Sequence, residues 1–124
     1  MSVKKFTVSL NHKIKKFNKI IEVDSDKSLS IRSFLIGSIS QNISIATNVL
    51  ESDDVKSCIS ACQKLGVKII KIKSKSYKIF GKGLGSFFAK KNLSLDLGNS
   101  GTLARLLIGI LSSTPNIEVN IKGD

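Results

Sequence analysis

Two short stretches hold residue types that could bind an anion. The first is "DKSLSIR", Asp26 to Arg32, where a lysine, two hydroxyls and an arginine gather at what the flanking pattern marks as a helix start. Backbone N–H groups in a first helical turn lack intrahelical acceptors, and the helix dipole adds partial positive charge. Lys27, Ser28 and Arg32 can add side-chain donors to that end, with arginine able to bind a phosphate or carboxylate bidentately. The second stretch is "GNSGTLAR", Gly98 to Arg105, in a segment with no acid between Asp96 and Glu118. Gly98 and Gly101 permit tight or left-handed backbone and let a ligand approach the main chain. Asn99, Ser100 and Thr102 are candidate caps or direct ligands. Each stretch also has a plainer reading. The first could be a serine N-cap flanked by solvated cations, and the second a glycine-rich strand-to-helix turn with a good cap.

Other features carry less. "GKGLGS", Gly81 to Ser86, lacks the spacing of a nucleotide-binding phosphate loop and opens no helix pattern, so it reads as a hairpin exit. Lys71, Lys73 and Lys75 alternate with Ile70 and Ile72, the pattern of an amphipathic strand with a solvated basic face. His12 is the only histidine, so neither a Ser-His-Asp nor a Cys-His set can be assembled, nor a zinc-type ligand set. Cys58 and Cys62 lie four apart on a helical pattern and read as buried thiols of a reducing compartment. No metal or cofactor is expected.

The elements that must position these residues follow from periodicity and punctuation. Lys5 to Leu10 and Lys19 to Val23 read as short strands. Ile31, Leu35 and Ile39 mark one face of a first helix. A β-rich run, Ile43 to Leu50, ends at "ESDD", where Ser52 is a candidate N-cap and Asp53 and Asp54 suit the positive helix end. Val55, Ile59, Cys62 and Leu65 form the stripe of a second helix that Gly66 closes. "VKIIKI" and "SYKIFG" follow as strands around a polar turn, then "LSLDL", a third helix and "NIEVNI". Such alternation predicts α/β packing of helices against sheets. "FLIGSIS" and "LLIGILS" also align at one constant offset, Phe34 on Leu106 and Ser40 on Ser112. At that offset Ser28 falls on Ser100, which suggests one supersecondary unit used twice.

The chain has 124 residues and a net charge of +11, enough for one modest domain with a preference for acidic partners. Phosphorylated metabolites, nucleic acid and anionic lipid all fit that charge. No apolar run approaches membrane-spanning length and the N-terminus has no secretory segment, so a soluble cytoplasmic protein is expected.

At the two helix-start motifs the chain resembles the 5-enolpyruvylshikimate-3-phosphate (EPSP) synthase family. The family's Lys-Ser-x-Ser-x-Arg segment is matched by Lys27, Ser28, Ser30 and Arg32. Its Asn-(Ala/Ser)-Gly-Thr-x-x-Arg segment is matched by Asn99, Ser100, Gly101, Thr102 and Arg105. "LESDDV", Leu50 to Val55, resembles the family's connector. The resemblance implies an α/β enolpyruvyl transferase fold of two domains, each built from βαβαββ units, with substrates in the cleft between them. It implies transfer of the enolpyruvyl group of phosphoenolpyruvate to the 5-hydroxyl of shikimate 3-phosphate, through a tetrahedral intermediate, with release of phosphate. By the same resemblance Lys27 is catalytic and touches both substrates, while Ser28 and Arg32 hold shikimate 3-phosphate. The Gly101 backbone sits against the phosphoenolpyruvate phosphate, with Asn99, Thr102 and Arg105 supporting.

Four residues at three places depart from the family pattern. Asp24-Ser25 replaces a Pro-Gly before the lysine, Ile31 replaces a polar residue, and Leu106 replaces a frequent proline. The resemblance further implies that this is an N-terminal fragment, inactive alone, of a longer enzyme expected to be monomeric. Residues 1–23 would be a strand region of the first domain, and residues 24–124 an incomplete second domain. Its isolated faces would be marginally stable. Two rival readings remain: the sister transferase acting on UDP-N-acetylglucosamine, and a small basic nucleic-acid-binding protein using Lys68 to Lys82. The sister enzyme prefers Lys-Asn at the first motif, where Lys27-Ser28 stands. A nucleic-acid protein would leave both motifs unexplained.

Overall fold

The computed structural model describes residues 7–9, 11, 18 and 20–124. Eight elements follow in chain order: α1 (Lys27–Ile39), β1 (Ile43–Ala46), α2 (Asp53–Lys64), β2 (Lys68–Lys73), β3 (Ser76–Phe80), β4 (Ser94–Asp96), α3 (Gly101–Leu111) and β5 (Asn120–Lys122). The expected alternation therefore stands from the first helix onward. Of the two strands expected before it, residues 7–9 and 20–23 lie in no strand, because no described strand pairs with them. The remainder of those stretches, with His12, lies outside the described residues.

β3 sits between β1 and β2 in an antiparallel sheet, with Ile43 opposite Phe80 and Ile69 opposite Ile79. β4 and β5 pair in parallel, with Leu95 opposite Ile121, and α3 is the crossover that parallel pairing requires. Several strands are shorter than the hydrophobic runs suggest. β1 stops at Ala46 because Asn48 turns the backbone to a φ of 54°, and Asn116 does the same ahead of β5.

α1 is the central helix and packs against α2, α3, β1 and β3. Its buried residues, among them Ile31, Phe34, Leu35, Gly37 and Ser38, lie on more than the single face expected. Gly37 makes this possible, since a Cβ there would lie 2.9 Å from Ile79 Cδ1. α2 and α3 are conventionally amphipathic. Val55, Cys58 and Cys62 of one, with Leu65 at its C-cap, and Leu103, Leu107 and Leu111 of the other, join the same core. Gly66 leaves α2 at a φ of +90°, as a helix-closing glycine should.

One expectation about a strand face is reversed. Ile70 and Ile72 are exposed, and the inward residue of β2 is Ile69. Lys71 shares the parity of Ile69, opposite Tyr77, so it turns toward the connector before α2 instead of joining a solvated basic face. Both cysteines are buried, as expected, and free. The neighbouring Cys62 thiol and burial push the Cys58 thiol far above its usual range. Gly81 to Ser86 is a loop, in agreement with a hairpin exit. Leu29, Ile36 and Ile108 stay exposed, so α1 and α3 each keep apolar surface that no described residue covers.

Candidate functional site

The first motif opens α1. Lys27 is its first helical residue, and the cap is Asp26, not a serine: the Leu29 N–H donates to Asp26 Oδ1 at 2.7 Å. Ser30 is buried and does structural work, its hydroxyl donating to Asp26 O at 2.6 Å while accepting the Leu50 N–H at 2.9 Å. That leaves Lys27, Ser28 and Arg32 as the motif's accessible donors. Ser28 and Arg32 stand four apart, hence on one side of the helix, with Arg32 exposed. Ile31, between them in sequence, is fully buried, which explains why an apolar residue is accepted there.

Lys27 does not stand as an isolated cation. Its ammonium meets Asp54 Oδ2 of α2 at 2.8 Å, with the two side chains 49% and 23% exposed. Asp54 is a partner of the candidate lysine that the sequence marks only as a helix-dipole residue. The signal was present, since "LESDDV" had already stood out, but the partner of Lys27 depends on how α1 and α2 pack.

The second motif opens α3 after β4. Gly98 takes a φ of +55°, so one of the two glycines fills the left-handed role expected of it. Its N–H donates to Asp96 Oδ1 at 3.0 Å, and that bond, followed by Lys122, holds the Asp96 carboxyl below its ordinary range. Ser100 is the cap: it is buried, and its Oγ accepts the Leu103 N–H at 3.3 Å. Gly101 is different. A Cβ there would meet nothing within 4 Å among the described residues, so no packing against them calls for glycine. As the first helical residue it also has an N–H with no intrahelical acceptor. Gly98, Asn99, Ser100 and Gly101 line a cleft of about 250 Å³ whose opposite wall is Ile121 to Asp124. Thr102 is half-buried and Arg105 exposed, and neither lines this cleft. Leu106, where a proline would be frequent, simply continues α3.

α2 relates the two motifs. Asp54 holds Lys27, and three residues later Ser57 Oγ lies 3.8 Å from the Cβ position of Gly98. Residues three apart share a helix face at a rise of about 4.5 Å. Parts of both motifs therefore reach one side of one helix, about a turn apart. Lys27, Ser28 and Arg32 do not themselves line the cleft under Gly101. Among the described residues no three His, Cys, Asp or Glu side chains gather as a metal site, and no helix is long and apolar enough to cross a membrane.

Known proteins match this chain in sequence and fold. The family model for EPSP synthase (3-phosphoshikimate 1-carboxyvinyltransferase) matches residues 11–124. A 3-phosphoshikimate 1-carboxyvinyltransferase of Leuconostoc mesenteroides is 42% identical over 84% of this chain and 23% of the relative. That of Syntrophomonas wolfei is 36% identical over 93% of this chain and 26% of the relative. The EPSP synthase structure from Acinetobacter baumannii superposes with a TM-score of 0.75 at 35% identity, covering 84% of this chain and 23% of that one. The chain thus spans about a quarter of the length of the relatives it matches. Motifs, fold and overall likeness agree over nearly the whole chain, and it belongs to the EPSP synthase (3-phosphoshikimate 1-carboxyvinyltransferase) family.

Proposed function

We propose that this chain supplies the first two anion-binding helix starts of an enolpyruvyl transferase acting on phosphoenolpyruvate and shikimate 3-phosphate. In this reading the longer enzyme adds the 5-hydroxyl of shikimate 3-phosphate across the C2=C3 bond of phosphoenolpyruvate, the oxygen going to C2 and a proton to C3. The resulting tetrahedral intermediate then loses phosphate from C2 and a proton from C3, which restores the double bond. Both substrates are anions, and the chain answers them with two different devices.

Lys27, Ser28 and Arg32 bind shikimate 3-phosphate through side chains, and the Lys27 ammonium extends to phosphoenolpyruvate. Asp54 holds that ammonium in place. Gly101 offers its backbone N–H and the positive end of α3 to the phosphoenolpyruvate phosphate. Asn99, Thr102 and Arg105 support that seat. The observation that carries the reading is the shared face of α2, with Lys27 on Asp54 and Gly98 beside Ser57. Open space over Gly101 adds to it.

Residues 24–124 belong, in this proposal, to one domain, and residues 1–23 lead into it from the other. The remaining catalytic groups are supplied by the rest of a cytoplasmic, monomeric enzyme. The test uses the full-length protein. It should release phosphate from phosphoenolpyruvate only when shikimate 3-phosphate is present. Release driven by UDP-N-acetylglucosamine would overturn the assignment. So would tight, salt-resistant binding of a specific oligonucleotide with no transfer activity.

A further inference from the structure

The connector from β1 to α2 is tied down from outside. The Val49 N–H donates to Lys75 O at 3.0 Å and the Leu50 N–H donates to Ser30 Oγ at 2.9 Å. Glu51 gathers the remaining ties on one oxygen. Its Oε1 accepts the Tyr77 hydroxyl at 2.6 Å and the Lys75 N–H at 3.3 Å, with Lys71 Nζ at 2.7 Å. All three donors belong to β2, β3 and the turn between them.

The α2 start needs such an anchor. Ser52 occupies the N-cap position but makes no side-chain cap bond, and its buried Oγ has no partner among the described residues. A helix end without its own cap is held by tertiary contacts or frays. Asp54, the second residue of α2, is the one that meets Lys27.

We propose that Glu51 is a positioning residue for Lys27: its carboxylate fastens the start of α2 to the β2–β3 hairpin, which fixes Asp54 and, through Asp54, the Lys27 ammonium. The inference rests on the reading of Lys27 as the substrate-contacting lysine. It gives a task to Lys71 and Tyr77, which no other part of the site uses. Misplacement of a catalytic group by a fraction of an ångström is costly in rate even when the cause is remote.

The experiment is a mutant cycle in the full-length enzyme, read as kcat/KM with both substrates. Glu51→Ala should lose about 10-fold. Glu51→Gln keeps an oxygen for Tyr77 and Lys75 but not the charge, and should lose only about 3-fold. In a Lys27→Ala background both substitutions should cost nothing further, because residues acting through one group are not additive. If Glu51→Ala does not accumulate as folded protein, Glu51→Gln and Tyr77→Phe carry the same cycle. A loss of equal size in both backgrounds would mean general destabilisation and overturn the proposal. Wild-type activity of Glu51→Ala alongside a crippled Lys27→Ala would also overturn it. Near-normal activity of Lys27→Ala would instead sink the reading of Lys27 and take this inference with it.

Discussion

The N-termini of α1 and α3 stand at matching places of an internal repeat, yet they are built differently. At the repeat offset Ser28 falls on Ser100, but Ser28 is the second helical residue of α1 while Ser100 is the cap of α3. The first helix therefore begins two residues earlier in the repeat, and an aspartate caps it. Around α1 the cation Lys27 is met by Asp54, and Asp26 adds a second carboxylate, so side chains set the charge of that end. Around α3 the cap is neutral and the first turn carries no acid, so the backbone and dipole are left to act. The matching glycines differ as well. Gly37 is pressed against Ile79, whereas a Cβ on Gly109 would meet nothing within 4 Å. A repeated sequence thus gives two helix starts of unlike character, one set by side-chain charge and one by backbone shape.

The largest expected effect tests the side-chain seat. Lys27→Ala in the full-length protein should reduce kcat/KM by about 100-fold or more, since it deletes a charged donor to bound anions. Activity within a few-fold of wild type would remove the distinction between the seats. The backbone seat is tested by Gly101→Ala. It should raise the KM for phosphoenolpyruvate by about 10-fold while leaving thermal stability unchanged or slightly higher, because alanine favours the helix and its Cβ has room inside the chain. Equal losses of stability and affinity would mean that Gly101 is a folding residue.

Smaller effects compare the caps. Asp26→Ala and Ser100→Ala should each cost about 1 kcal/mol of stability in denaturant unfolding. Asp26→Asn should be nearly neutral, since asparagine caps as well as aspartate. A large loss for Asp26→Asn would show that its charge, not its cap, is needed at the first seat. The smallest effect is a pH dependence. Lys71 first, then Tyr77, lower the Glu51 carboxyl from its ordinary 4.5 to about 2. A depressed carboxylate contributes stability that is present above the unfolded value and lost as pH falls through the folded one. The thermal midpoint should accordingly drop between about pH 4.5 and pH 2, and drop less in Glu51→Gln. Identical slopes for the two proteins would show that the Glu51 clamp adds nothing to stability.

Much of this was legible along the chain. Helix periodicity, the closing role of Gly66 and the left-handed Gly98 all follow from local rules, and both motifs could be found without coordinates. What failed did so for one local and one non-local reason. A serine cap was the plainer reading of the first motif, but Asp26, three residues before Leu29, takes that place. Ile70 and Ile72 looked inward because they alternate with lysines, yet the pairing of Ile69 with Ile79 set the opposite register. One step of register exchanges every side chain between faces, and nothing inside a six-residue strand can choose between them.

The sequence by itself determined that two hydroxyl- and cation-bearing helix starts exist, the second with glycines, and the family they resemble, because caps, dipoles and motif spacing are encoded within a few residues. Tertiary structure alone decided that Asp54 holds Lys27, that Ser57 stands beside Gly98, and that Glu51 gathers Lys71 and Tyr77. Each of those contacts joins elements distant in sequence. Their distances are set by how helices and sheet pack, which no short stretch of chain records.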